Sequence, residues 1–178
     1  MHTSPVGHRA DEPEWLHSHA HEPNPSPPHD DPTVALRLPG GERIFLAPED
    51  LARLPQTTVP GCWIVSTGHG ASGPFTFGGV RLADLIAAYT PAAWRYADII
   101  SADGYGNRVY ATEAQTGEGK GGQAVGDAAT ARDRPILLAT TLDGAPMTRA
   151  QGLVRLIVPS ETEDALRQVK WVARIEVH

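Results

Sequence analysis

Ile136-Leu137-Leu138-Ala139, then Asp143-Gly144-Ala145-Pro146-Met147, Gln151-Gly152-Leu153-Val154-Arg155-Leu156-Ile157-Val158-Pro159 and Val169-Lys170-Trp171-Val172 follow one another in the last third of the chain, and their reading decides the fold. Two apolar runs of strand length flank an Asp-Gly turn. Arg155 interrupts the second run, and Lys170 stands alone before Trp171. A cation within an apolar strand faces solvent, a partner or a ligand, because a lone buried charge is too costly to keep. Alternation along a strand offers the plain reading, an outward-facing position; a bound anion is the functional one.

Working outward, Val34-Ala35-Leu36-Arg37-Leu38 and Arg43-Ile44-Phe45-Leu46 about Pro39-Gly40-Gly41 predict a hairpin. Residues 47–55 predict one or two helical turns that Pro55 ends, and the Thr-rich residues 56–60 predict a strand leading to Cys62. The glycine-rich residues 67–79 read as loop, and residues 80–89 place Val80, Leu82, Leu85, Ile86 and Tyr89 near one helix face. Residues 97–102 and 108–111 about Asp103-Gly104-Tyr105-Gly106-Asn107 predict a second hairpin. Residues 116–130, rich in glycine, read as a surface loop; Gly119-Lys120 lacks the spacing of a phosphate-binding loop. Residues 160–168 predict a helical turn with Ser160 as its cap, and 172–177 a last strand. The expected class is a mixed, strand-dominated α+β domain over residues 33–178.

The 178 residues suffice for one domain with a real core. Residues 1–32 hold seven of the sixteen prolines, six of the eight histidines, and one cation against six carboxylates, so that of the net −6 a balance of −5 falls there. That composition predicts a disordered tail and leaves the domain near neutral, with no footprint for nucleic acid or an anionic surface. His17, His19 and His21 alternate and offer imidazoles to a metal ion, but without a further ligand the segment reads as a polar leader. A single cysteine, Cys62, excludes an intramolecular disulfide and a cysteine-based zinc cluster. With no apolar leader and no run near the ~20 residues of a membrane span, the sequence predicts a cytoplasmic protein.

The order of the segments resembles the molybdopterin-binding domain of the sulfite oxidase family. That domain ends in an apolar strand, an Asn/Asp-Gly-x-Pro-Leu turn, a Gly-x-Pro-Leu-Arg-Leu-Val-Val-Pro run and a Lys-Trp pair. Earlier in that family a cysteine follows a strand and precedes Trp/Phe-x-Gly-Val and a Leu-rich helix. Here Cys62 precedes Phe77-Gly78-Gly79-Val80-Arg81-Leu82-Ala83-Asp84-Leu85. The resemblance implies a sulfite-oxidase-type fold, a molybdenum-molybdopterin cofactor, Cys62 as thiolate ligand of the metal, and Arg155 and Lys170 as the cations that hold the pterin phosphate.

With it come Gln151, four residues before Arg155, as a further pterin contact, and His69, between glycines, as a loop imidazole near the cofactor. Tyr105 offers a phenol to a substrate oxygen, although its place in the Asp103-Gly104 turn also suits a purely structural role. The implied activity is two-electron redox chemistry or oxygen-atom transfer on a small substrate, with electrons passed to another protein. The arginines that line a sulfite pocket have no counterpart near Cys62, so a substrate other than sulfite is expected. The turn before Arg155 is one residue short of the family form, and the acidic segment 160–168 replaces its Tyr-Gly-x-Lys-Ser segment. Both departures suit the alternative, a non-catalytic relative that binds another small ligand or a protein.

Overall fold

Two five-stranded sheets share one main core, and strands from the last third of the chain lie inside both of them. A computed structural model of the chain describes residues 30–66, 70–116, 135–158 and 168–178. The expected tail (1–29 of its 32 residues), the Gly119-Lys120 segment, His69 and the turn from Ser160 lie outside the described residues.

The elements are β1 (Val34–Arg37), β2 (Arg43–Leu46), α1 (Pro48–Ala52), β3 (Thr57–Ser66), β4 (Gly70–Arg81), α2 (Leu82–Tyr89), β5 (Tyr96–Ser101), β6 (Gly106–Tyr110), α3 (Ala111–Thr116), β7 (Leu137–Leu142), β8 (Ala145–Pro146), β9 (Arg155–Ile157) and β10 (Val172–Val177). The first sheet runs β2-β1-β10-β5-β6, with β1 and β10 parallel and the other pairs antiparallel. The second runs β3-β4-β7-β8, with β9 also on β7, and is antiparallel throughout.

The glycine-rich stretch expected as loop is, from Gly70 on, the longest strand. Its glycines serve close backbone approach rather than a turn. A Cβ on Gly79 would run into the Leu138 carbonyl, at the irregularity where β4 shifts register on β7. The pairing carries through Val80 and Arg81, so the helix expected from Val80 starts at Leu82. The short α3 was not foreseen; the Tyr110 N–H donates to the Glu113 carboxylate at 2.8 Å, closing its first turn.

The main core lies between the sheets and joins Leu36, Ile99, Val109 and Ile175 of the first to Val80, Leu138 and Leu156 of the second, with Leu85 and Ile86 of α2. A second, smaller cluster covers the other face of the second sheet: Val59, Cys62, Phe77, Leu137, Ala139, Met147 and Ile157. Leu137, Leu138 and Ala139 alternate between the two faces, as do Leu156 and Ile157, so this sheet is buried on both sides. Alternation puts Arg155 on the face of the smaller cluster, beside its register partner Ala139.

Candidate functional site

Thr148–Val158 and Gln168–Val172 are stitched together by backbone. Leu156 and Val169 exchange hydrogen bonds of 2.9 and 3.3 Å, the Trp171 N–H donates to the Gly152 carbonyl at 2.9 Å, and the Val172 N–H to that of Val154 at 2.9 Å. The Trp171 indole N–H donates to the Arg149 carbonyl at 2.7 Å. This brings Arg155 and Lys170, fifteen positions apart, to either side of Gly152. A Cβ on Gly152 would sit 2.9 Å from Arg155 Cγ and 3.2 Å from Lys170 Cβ, and its φ of +111° is closed to ordinary side chains. Leu153 and Trp171 also hold left-handed conformations, φ 54° and 49°, a strain that clusters where a site fixes its backbone.

Arg155 is 5% exposed. Its Nη1 donates to the Gln151 carbonyl at 3.4 Å, its Nη2 to the Gln168 side-chain oxygen at 3.2 Å, and its Nε has no partner. No carboxylate among the described residues pairs with it. Burial lowers its pKa to about 10, so it stays cationic at neutral pH, and no carboxylate among the described residues compensates its charge. Lys170 remains exposed, and its pKa is lowered first by the partial burial of its ammonium and then by the Arg155 charge. Solvent screens that second effect.

The other buried arginine makes the contrast. Arg108, also 5% exposed, holds Asp98 through Nε at 2.7 Å and Nη2 at 3.0 Å and stacks 3.9 Å from the Tyr96 ring centroid. The hydrogen bond to Asp98 raises its pKa. Arg108 is a neutralised structural pair, whereas Arg155 and Lys170 are two close cations with no countercharge among the described residues.

Cys62 lies in β3 between two register shifts, opposite Phe75. It is buried in the smaller cluster, and its thiol donates to the Val59 carbonyl at 3.5 Å. Phe77 packs in that cluster, and the Arg155 guanidinium carbon is 5.4 Å from its ring centroid. Cys62 and Arg155 thus stand on one face of one sheet with Phe77 between them. Gln151 touches the site through its carbonyl; its side-chain oxygen accepts from the Thr148 N–H at 2.9 Å and closes the turn. Tyr105, half-buried in the β5–β6 turn, belongs to the first sheet; that turn reaches the site where the Ala102 N–H donates to the Trp171 carbonyl at 2.9 Å. Gln168, Phe77 and Gly152 complete the site and were not foreseen. Only the glycine beside the Arg155 strand carried a signal in the sequence.

At its anionic end the expected cofactor fits: an unneutralised buried arginine with an orphaned Nε, a second cation, and a backbone cradle that a Cβ would fill. At the metal end the chain offers one soft ligand, Cys62, and the described residues hold no group of three or more ligating side chains. No helix among them is long and apolar enough to cross a membrane.

The family model described as "Oxidoreductase molybdopterin binding domain" matches residues 34–178. Among solved structures the chain is similar to the sulfane dehydrogenase SoxCD of Paracoccus pantotrophus. The TM-score is 0.58 and the identity 16%, over 82% of this chain and 38% of that one, so it spans well under half of that relative's length. No curated protein matches the chain.

Proposed function

Because the chain belongs to the oxidoreductase molybdopterin-binding domain family, we propose that it holds a molybdenum-molybdopterin cofactor, with Arg155 and Lys170 on its phosphate and the Cys62 thiolate on its metal. The observation that carries this is the charge of Arg155, buried with no carboxylate partner among the described residues and with Nε unpaired beside the Gly152 cradle. Arg155 supplies directed donors and Lys170 a mobile point charge. Gln151 fixes the approach through its carbonyl, and the Leu153 and Trp171 backbones hold both cations in register. When bound, the cofactor supplies two-electron redox or oxygen-atom transfer chemistry.

The hydrophobic residues that pack with Cys62, Val59, Phe77 and Met147 among them, favour a small substrate less charged than sulfite. The family resemblance further supports, as roles still to be tested, Tyr105 as a donor to the substrate, His69 as a cofactor contact and an external electron-transfer protein as the electron acceptor. A cytoplasmic setting, where a lone thiol stays reduced, suits Cys62 as a ligand.

One observation favours a second reading. The Cys62 sulfur lies 3.5 Å from the Val59 carbonyl and packs with apolar side chains, a setting that also suits a structural thiol in a non-catalytic relative that uses only the anion site. Molybdenum and pterin content of the protein purified from cells that make the cofactor, beside Cys62→Ser, separates the two. About one molybdenum per chain, lost in the variant, is the expected result; pterin without dependence on Cys62, or neither component, defeats the assignment of that thiol.

A further inference from the structure

Two arginines with the same small solvent exposure in one small fold are treated oppositely: Arg108 has a carboxylate partner, and the deeper Arg155 has an amide. Asp98 takes two edges of Arg108 and cancels its charge. Gln168, itself only 8% exposed, takes one edge of Arg155 at 3.2 Å. Arginine carries no acceptor, so the Gln168 atom facing it is the amide oxygen. An amide orients a guanidinium without neutralising it, whereas a glutamate of the same length would form a charge-assisted pair. Gln168 reaches Arg155 because Val169 bridges to Leu156, the neighbour of Arg155 in β9. The Gln151 carbonyl holds the other amino group, which leaves Nε as the buried Arg155 donor without a partner; Arg108 likewise keeps one such donor, Nη1, so the two differ in charge neutralisation and not in this orphaned atom.

We infer that Gln168 is a positioning residue that fixes Arg155 while preserving its charge, and so sets the site to take a phosphate-type anion. The inference rests on the reading of Arg155 and Lys170 as an anion site and names the residue that keeps that site open. A carboxylate at this position would turn Arg155 into a second Arg108, folded more securely and closed to anions.

The test is isothermal titration of the full chain with inorganic phosphate, together with thermal unfolding, for the natural sequence, Gln168→Glu and Gln168→Leu. Phosphate affinity should fall by about tenfold or more in Gln168→Glu while its apo unfolding temperature rises, because the new carboxylate competes for the guanidinium. Gln168→Leu should lose affinity and stability together, since it leaves Nη2 buried without an acceptor. A Gln168→Glu protein that binds phosphate as tightly as the natural chain, or that is less stable and weaker-binding at once, shows a merely structural glutamine and overturns the inference. Absence of phosphate binding in the natural chain removes the anion site itself, and the inference with it.

Discussion

The uncompensated charge of Arg155 should make it nearly dispensable for stability, and comparison with Arg108 puts that to measurement. Burial lowers the Arg155 pKa to about 10, a cost of about 3 kcal/mol for carrying the charge in the fold. Arg155→Met removes that cost and keeps a flexible stem against Phe77 and Gly152. It also strips the buried Gln168 oxygen of its donor, at about 1–3 kcal/mol; the longer bond to the partly exposed Gln151 carbonyl adds little. The balance falls between no change and about 2 kcal/mol of added stability.

Arg108→Met does the reverse, because it leaves the buried Asp98 with only the distant His178 imidazole at 3.8 Å, at about 3–5 kcal/mol. At about 3 °C per kcal/mol for a domain of this size, the two variants should unfold about 10 °C apart or more. Calorimetric melts of both proteins, free of phosphate, decide it. If Arg155→Met loses as much stability as Arg108→Met, the Arg155 charge is already neutralised in the fold and the argument for an anion site collapses.

Inorganic phosphate at a hundred times its dissociation constant should stabilise the natural chain by about 2.7 kcal/mol and leave Arg155→Met unmoved in the same melt. Gly152→Ala should cost about 2–4 kcal/mol, from its φ of +111° and the contact with Arg155, and should weaken phosphate binding in titration. Phosphate affinity should drop at alkaline pH, because partial burial and then the Arg155 charge hold the Lys170 ammonium below its ordinary pKa. Its charge is fully present below that lowered value and lost as pH rises through it, while the guanidinium stays charged. Titrations with phosphate at neutral and at alkaline pH should therefore differ in the natural chain and much less in Lys170→Met. Cys62→Ser should destabilise by about 1–3 kcal/mol by urea unfolding even without cofactor, because a hydroxyl replaces a thiol beside Val59, Phe77 and Met147.

Where side chains alternate or repeat at helical spacing, the sequence was readable. The first hairpin, β7 and β10 stand where the sequence put them; the second hairpin does too, except that β6 starts at Gly106 inside the expected turn and ends at Tyr110, with Ala111 opening α3, and α2 lacks its first two expected residues. β4 was hidden because its glycines serve backbone contact at a register shift, and composition alone cannot tell that use from a loop. The two cations were visible as isolated charges beside apolar strands. Gln168 was not, because it follows a run of carboxylates and only the bridge between Val169 and Leu156 turns it toward Arg155. Nor does the chain announce that Cys62 and Arg155 share a sheet face, which depends on the pairing of four strands across several bulges.

The position of β10 sets the order in which the molecule is assembled. β10 is the middle strand of its sheet, and without it β1–β2 and β5–β6 are separate hairpins with exposed edges. During synthesis those hairpins must wait for residues 172–177, and the parallel pairing with β1 then closes a loop of well over a hundred residues, a slow step. Lys170 and Trp171 arrive in the same few residues, so the anion site and the sheet are completed together. An anion captured at that moment would act as a folding ligand as well as a bound group, and a chain starved of it would linger with both hairpins open to mispairing.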